Sequence, residues 1–397
     1  MSNKLDSVRQ QFSQKLQERL IALRRDLHRH PELSFEEHRT SQKLYEALAR
    51  LQPKELSKVA GTGVMAQIKG KDPKAPVVAI RGDIDALPIQ EATGLAFASQ
   101  TAGVMHACGH DVHASWAVGA ACLLSENPAP GDVRILLQPA EEVGRGARVM
   151  LEAGVLDGVT AIFGAHVDRR FSVGQVVAQE GPLAASSDTF EIVLRGQGAH
   201  GARPHEAVDP VVGAAAVITA LQTIVSRRLN PAHAGVVTVG SVHAGSAPNI
   251  IPAQAELTGT IRAVNAETRD RLQQEVERIV KTQADAYHLQ AEINLAAGTP
   301  PIVNPPEPVS WVRQAVATLL GEAALVPLGY ANMGGEDFAV YMEKIPGCFI
   351  RVGAREPGGT VIPAHSPGFY AAEESIFVGS AVLAQAARVA LHALHQA

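Results

Sequence analysis

Apolar positions recur along this chain with two periods, and the switch between them outlines its architecture. Leu16, Leu20, Leu23 and Leu27 repeat at helical spacing up to the break at Pro31. Ser34 followed by Glu37 has the pattern of a capping box and predicts the start of a second helix. Short apolar runs then read as strands: GVMAQIKG at 63–70, VVAI at 77–80, VRILL at 133–137 and AIFGAHV at 161–167. Helical patterns between them run from His113 to about Leu124 and from Gly146 to about Leu156. This alternation predicts an α/β fold, a largely parallel sheet flanked by helices. Ligands of such sheets bind beyond the carboxyl ends of the strands, so the chemistry is expected there.

Between 184 and 296 the order changes. TFEIVLRG reads as a strand, DPVVGAAAVITALQTIVSRR as a helix, GVVTVGSV and AELTGTIRA as strands, the segment after Asn265 as a capped helix and AEINLA as a strand. That order, strand, helix, strand, strand, helix, strand, is the arrangement of a small ferredoxin-like α+β domain. After Pro301 the earlier alternation resumes with SWVRQAVATLLG, CFIRVGA and a helix from about Ser375. We therefore expect one domain built from 1–183 and 297–397, with a second inserted at 184–296.

Composition narrows the partners. With 46% hydrophobic and 19% charged residues, the chain is expected to fold around a sizeable core. A formal charge of -5 gives no support for a nucleic-acid or anionic-membrane partner, which leaves a small molecule. The polar start, MSNKLDSVRQQ, and the lack of an uninterrupted apolar run of ~18 residues predict neither export nor anchoring. Cys108, Cys122 and Cys348 are too few and too irregularly spaced for a disulfide framework, which points to a reducing compartment and a cytoplasmic protein.

The candidate chemistry is concentrated at predicted strand ends and loops. Residues 105–113, MHACGHDVH, place Cys108 and His110 on either side of Gly109. Glu141 and Glu142 follow a strand in LLQPAEE, His166 ends FGAHV, and His365 sits in the turn IPAHSPGF. A thiolate, imidazoles and a carboxylate are the ligand types of zinc and neighbouring divalent metals, and five of them exceed what one tetrahedral ion takes. Two ions fit better. Such ions stand ~3.5–4 Å apart and need a bridging anion, a role open to a deprotonated sulfur. The adjacent Glu141 and Glu142 can divide the remaining work. One carboxylate binds metal while the other takes a proton from a metal-bound water attacking a carbonyl and delivers it to the leaving nitrogen, which is amide hydrolysis.

In the order MHACGHDVH, LQPAEE, GAHV, GAHGARPHEAVDP, NIIPAQAELTGTIR, GGEDF and HSPGF, the sequence from about residue 20 onward resembles the amidohydrolase branch of the dinuclear metallopeptidases. That branch includes hippurate hydrolases, N-acyl-amino-acid amidohydrolases and plant auxin-conjugate hydrolases. The resemblance implies a catalytic domain (1–183 and 297–397) interrupted by a lid (184–296) that also mediates homodimerisation. It implies Cys108 as the bridging ligand, His110 and His166 as ligands of one metal, Glu142 and His365 as ligands of the other, and Glu141 as general base. His200 resembles the lid histidine that contacts substrate, often in the partner subunit's site, and Asn249 and Arg262 fall in the motif expected to bind the substrate carboxylate. Two divalent ions per subunit are implied, zinc foremost, with manganese, cobalt and nickel accepted by the same ligand types. The expected reaction cleaves N-acyl or N-aroyl amino acids to a carboxylic acid and a free amino acid through a metal-bridging water, under a lid hinged near 184 and 296. Ala199, in place of a frequent glycine, and FYAAEES after Pro367 depart from the family's pattern and bear on acyl preference.

Competing readings remain. A metallo-dipeptidase or carboxypeptidase would use the same centre on peptides. A cysteine-nucleophile hydrolase would leave Glu141, Glu142, His166 and His365 without a role. A non-catalytic binder on the same fold would be expected to lack Glu141. Among other residues, Cys122 and Cys348 read as small buried hydrophobes, and His106 and His113 as supporting residues. Asp85, like Asp83, is expected to hold a ligand histidine from behind. Glu336 and Asp337 read as a helix cap, His28 and His30 as surface residues at a helix end, and His205 as a substrate contact or a loop closure.

Overall fold

The computed structural model describes residues 2–396. They form two compact units: 2–181 with 304–329 and 337–396, and Pro182–Val303 with Tyr330–Glu336. The return of Tyr330–Glu336 to the second unit leaves no mark in the periodicity.

A seven-stranded sheet organises the first unit, in the order Glu55–Val59, Gly63–Ile68, Val133–Gln138, Val77–Asp83, Val159–Ser172, Gly347–Arg355 and Val176–Val177. Its four consecutive strands from Val133–Gln138 to Gly347–Arg355 run parallel. The sheet is closed on each side by antiparallel pairs, so GVMAQI forms a strand but runs against its neighbours. Val133–Gln138 is buried at every position, as expected for a strand covered on both faces. The covering helices include His110–Glu126 and Glu374–Gln396, and Gln14–Arg29 packs on the first of these. Glu374–Gln396 is long and apolar enough to cross a membrane by composition, but 72% of its most apolar window is buried in this core. It lies close against His110–Glu126, since a Cβ on Gly119 would stand 2.2 Å from Ser380 Oγ and one on Gly379 2.2 Å from Trp116.

The second unit has an antiparallel sheet ordered Gly235–Ala244, Gln254–Ala263, Ser187–Arg195, Gln290–Thr299. With the helices Pro210–Thr223 and Ala266–Ala286 this is a ferredoxin-like arrangement. Alternate residues Phe190, Ile192 and Leu194 of the central strand meet Val217 and Leu221 of one helix and Leu272, Val276 and Val280 of the other. Asp209 caps the first helix through the Val211 N–H and Asn265 the second through the Thr268 N–H at 2.8 Å. The first helix runs on through Ile224 and Val225 and ends on Arg227 and Arg228, and the stretch Pro210–Arg228 is a third buried in its most apolar window.

Candidate metal centre

Parallel strands deliver the chemical groups to one edge of the first unit. Val77–Asp83 leads to Asp85, Val133–Gln138 to Glu141 and Glu142, Val159–Ser172 carries His166, and the loop after Gly347–Arg355 carries His365. Cys108 precedes the helix His110–Glu126, which begins three residues earlier than its apolar period indicates and so includes His110. The turn between them requires glycine. Gly109 has φ 92°, and a Cβ there would stand 2.4 Å from Val167 Cγ2. Ala140, just before the glutamates, and His365 both adopt left-handed backbone, with φ 55° and 62°. Non-glycine residues hold this conformation only where their surroundings impose it. Here the Ala140 N–H donates to Glu37 Oε1 at 2.9 Å, and the His365 N–H to the Ala107 carbonyl at 2.8 Å.

Cys108, His110, Glu141, Glu142, His166 and His365, far apart in sequence, converge. Cys108 Sγ lies 3.2 Å from His166 Nε2. His166 Nδ1 stands 2.7 Å from the Val167 carbonyl, which fixes the proton on Nδ1 and turns the Nε2 lone pair towards the sulfur. His110 Nδ1 is likewise engaged by Asp85, 3.0 Å from its carbonyl and 3.1 Å from Oδ1. His110 Nε2 faces Glu142 Oε1 at 3.8 Å and Glu141 Oε2 at 3.9 Å, and His365 Nε2 lies 3.4 Å from Glu142 Oε2. The ligand atoms of Cys108, His110 and His166 all fall within 4.8 Å of one another, and so do those of Cys108, Glu142 and His365. These two sets share only the sulfur.

The centre fits cations. His110 Nε2 and Glu142 Oε1 are buried, and neither has a hydrogen-bond partner. Two buried acceptors left this way cost about 1–3 kcal/mol each unless a positive charge lies between them, a proton on His110 or a metal ion. Burial, and then the Glu142 carboxylate, push the Cys108 thiol well above its ordinary range, so a thiolate here calls for a cation. Burial, and then His113, hold His166 well below the usual imidazole value, in the neutral form a ligand needs. Burial opposes charge on His110 as well, but Asp83 and Asp85 outweigh it and raise that pKa. The hydrogen bond to Glu142 raises His365. Two divalent ions match this donor set.

Buried supports surround the donors. Asp85 is 1% exposed, and its Oδ2 accepts the Glu142 N–H at 3.0 Å and the Ser34 hydroxyl at 2.7 Å. His113 is bonded through both ring nitrogens, to Asp83 Oδ1 at 2.6 Å and from the Val167 N–H at 2.9 Å, and so has no lone pair to offer a metal. His106 is buried with neither ring nitrogen bonded, and burial pushes its pKa down to about 4.

Several sequence expectations are corrected here. Ser34 and Glu37 form no capping box. Glu37 stands at the N-cap of His38–Ala49 without a side-chain bond to it, and its carboxylate instead takes the Ala140 N–H and the Thr62 hydroxyl. Glu37 is thus a support of the glutamate turn that sequence reading missed. His28 is not at the surface. It is fully buried between Asp111 and Glu91. The helix-capping expectation holds for Asp337, which accepts the Ala147 N–H in the first turn of Gly146–Glu152 at 2.8 Å and also accepts from Arg81 and Gln138.

The remaining candidates lie in the second unit. His200 and Asn249 are exposed neighbours on a two-stranded ribbon, where the Gly201 N–H donates to the Asn249 carbonyl at 2.8 Å. Arg262 is half-buried on Gln254–Ala263, paired in register with Val236. His205 is exposed in a single 3-10 turn.

A family model described as peptidase family M20/M25/M40 matches residues 79–389. An N-acetylcysteine deacetylase of Bacillus subtilis is 43% identical over 95% of this chain and 98% of its own length. Thermostable carboxypeptidase 1 of Saccharolobus solfataricus is 36% identical over 91% of this chain and 92% of its own length. Among solved structures, a dinuclear metal binding peptidase of the M20 family from Bacillus subtilis superimposes with a TM-score of 0.85 at 41% identity, covering 96% of this chain and 99% of that one.

Proposed function

The chain belongs to peptidase family M20/M25/M40 and is a metal-dependent amidohydrolase, and on that premise we propose that it hydrolyses N-acyl or N-aroyl amino acids to a carboxylic acid and a free amino acid. The observation that carries this reading is the pair of donor sets sharing Cys108, set beside Glu141. Cys108, His110 and His166 would hold one divalent ion, and Cys108, Glu142 and His365 the other. When bound, the ions would supply the charge that acidifies a water and polarises the amide carbonyl. Glu141, with Oε2 3.9 Å from His110 Nε2 and its side chain 10% exposed, takes the proton of the attacking water. It returns that proton to the nitrogen as the C–N bond breaks. Asp85 keeps His110 in the tautomer that presents Nε2. His200, Asn249 and Arg262, residues of the second unit, are the proposed substrate-binding groups, Arg262 and Asn249 for its carboxylate. We further propose a homodimer formed through that unit, and a reducing cytoplasmic location that keeps the three cysteines as thiols.

The deacetylase relative supports small N-acyl substrates. The carboxypeptidase relative supports a second reading, cleavage of a carboxyl-terminal residue from peptides. A substrate panel tests both. Purified protein is assayed on N-acetyl and N-benzoyl amino acids, dipeptides and longer peptides, with and without chelator. Chelator-sensitive release of amino acid from the acylated substrates at the highest kcat/KM is expected. Preference for peptides would replace the first reading with the second, and turnover that survives full demetallation would overturn both.

A further inference from the structure

His365 is the most exposed of the proposed ligands, at 53%, and it sits in a segment from Glu356 to Glu373 that contains neither helix nor strand. A left-handed residue in such a segment needs an external anchor. Besides the bonds from the His365 N–H to the Ala107 carbonyl and from the Ala92 N–H to the Pro367 carbonyl, both at 2.8 Å, the segment is anchored by Arg169, 2% exposed, on the same strand as His166 and three residues beyond it. Its Nη1 donates to Glu356 Oε2 at 2.8 Å, the Tyr370 carbonyl at 3.1 Å and the Ala354 carbonyl at 3.4 Å. Its Nη2 donates to the Thr360 carbonyl at 2.8 Å and Glu356 Oε1 at 3.2 Å. Tyr370 closes the cluster: its hydroxyl donates to Glu356 Oε1 and its ring centroid lies 4.3 Å from the guanidinium carbon. One planar fork therefore grips the loop just before it leaves the sheet, near its start and at its end, with His365 between the grips. Lysine, a single point of charge, has no such geometry.

We propose that Arg169 is a positioning residue for His365, clamping the loop so that the imidazole is preorganised to complete the Cys108, Glu142, His365 donor set. This inference rests on the two-ion reading of the centre. An unclamped loop must be ordered when the cation binds, so removing Arg169 weakens one ion and leaves the other. Loss of outer supports of ligands usually costs about 10–100-fold in metal affinity.

The test titrates demetallated protein with cobalt(II), following both heat and the thiolate-to-cobalt absorption. Wild type is expected to take two equivalents. Arg169→Met is expected to keep one within roughly 2-fold, with its thiolate band, and to bind the other about 10-fold more weakly. If Arg169 acts through His365, adding Arg169→Met to His365→Ala changes nothing further. Two unchanged equivalents in Arg169→Met, equal weakening of both, or additivity with His365→Ala would each overturn the clamp while leaving the two-ion reading intact. Fewer than two equivalents in wild type would overturn the two-ion reading and the clamp with it. Should Arg169→Met not fold, by circular dichroism, Glu356→Gln is titrated in its place. A smaller loss confined to one equivalent is expected there, and no loss would overturn the proposal.

Discussion

The Asp85 carboxylate lies 3.1 Å from His110 Nδ1, and the same carboxylate accepts the backbone N–H of Glu142. One buried acid thus fixes two candidate ligands, an imidazole by its tautomer and a glutamate by its backbone. An amide in its place would set an NH2 group against one of these donors. Asp85→Asn is expected to lose about 10–100-fold in metal affinity and about 1–3 kcal/mol of stability. Cobalt(II) titration and thermal melting of the demetallated protein check the two effects separately. Unchanged metal binding would remove Asp85 from the centre's supports.

Glu141 and Glu142 are adjacent in sequence, but their proposed roles separate cleanly by experiment. Glu141→Gln keeps the shape of the side chain and loses the base. Its kcat is expected to fall ~10²-fold or more with full metal content. Glu142→Gln should instead lower metal content. Near-normal turnover in Glu141→Gln would show that another group takes the proton.

The fold and the chemical centre were legible in the sequence to different depths. Apolar period sufficed for VVAI, VRILL and AIFGAHV because strands buried on both faces are almost continuously apolar, interrupted here by Arg134 and His166. The same period carries no direction, so it could not show that GVMAQI runs antiparallel. Cys108, His110, Glu142, His166 and His365 could be picked out because each is a ligand-type residue at the end of a predicted element or, for His365, in a proline-rich turn. Their supports could not. Ser34 and Glu37 match a local motif, but their partners Asp85, Thr62 and Ala140 are brought in by tertiary structure. No local pattern announces that Arg169 will reach Glu356.

Gly109 separates backbone constraint from chemistry. Alanine there adds the cost of a left-handed β-carbon, about 1–2 kcal/mol, and an overlap 2.4 Å from Val167 Cγ2. Relief of that overlap displaces either Val167, the neighbour of His166, or the turn that carries Cys108 and His110. Gly109→Ala is therefore expected to lose metal affinity as well as stability. Gly94→Ala is the control, since Gly94 is also left-handed, with φ 71°, but has open space around its β-position. It should lower the melting temperature without touching metal binding. Equal effects of the two variants on metal binding would refute the steric argument.

The buried imidazole of His28 makes stability depend on pH in a definite direction. Its Nδ1 lies 2.8 Å from Asp111 Oδ2 and its Nε2 3.2 Å from Glu91 Oε1. Ionised carboxylates only accept, so both ring nitrogens carry protons and His28 is an imidazolium. Burial opposes that charge, but Asp111 and Glu91 outweigh it and raise the pKa above the ordinary 6.5, even with Arg24 bonded to the same Asp111 at 2.7 Å. His106, its ring centroid 6.3 Å away, adds no charge near neutrality because its own pKa is pushed down to about 4. A folded-state pKa raised above the unfolded value gives stability that is complete below about pH 6.5 and is lost as pH rises through the folded pKa. The melting temperature of wild type should therefore exceed that of His28→Asn most near pH 6, by roughly 2 °C or more, and the gap should narrow by pH 9. Other titrating groups are common to both proteins and largely cancel in the difference. A gap that stayed constant or widened towards pH 9 would mean that His28 is held as the neutral ring, with Glu91 or Asp111 carrying the shared proton.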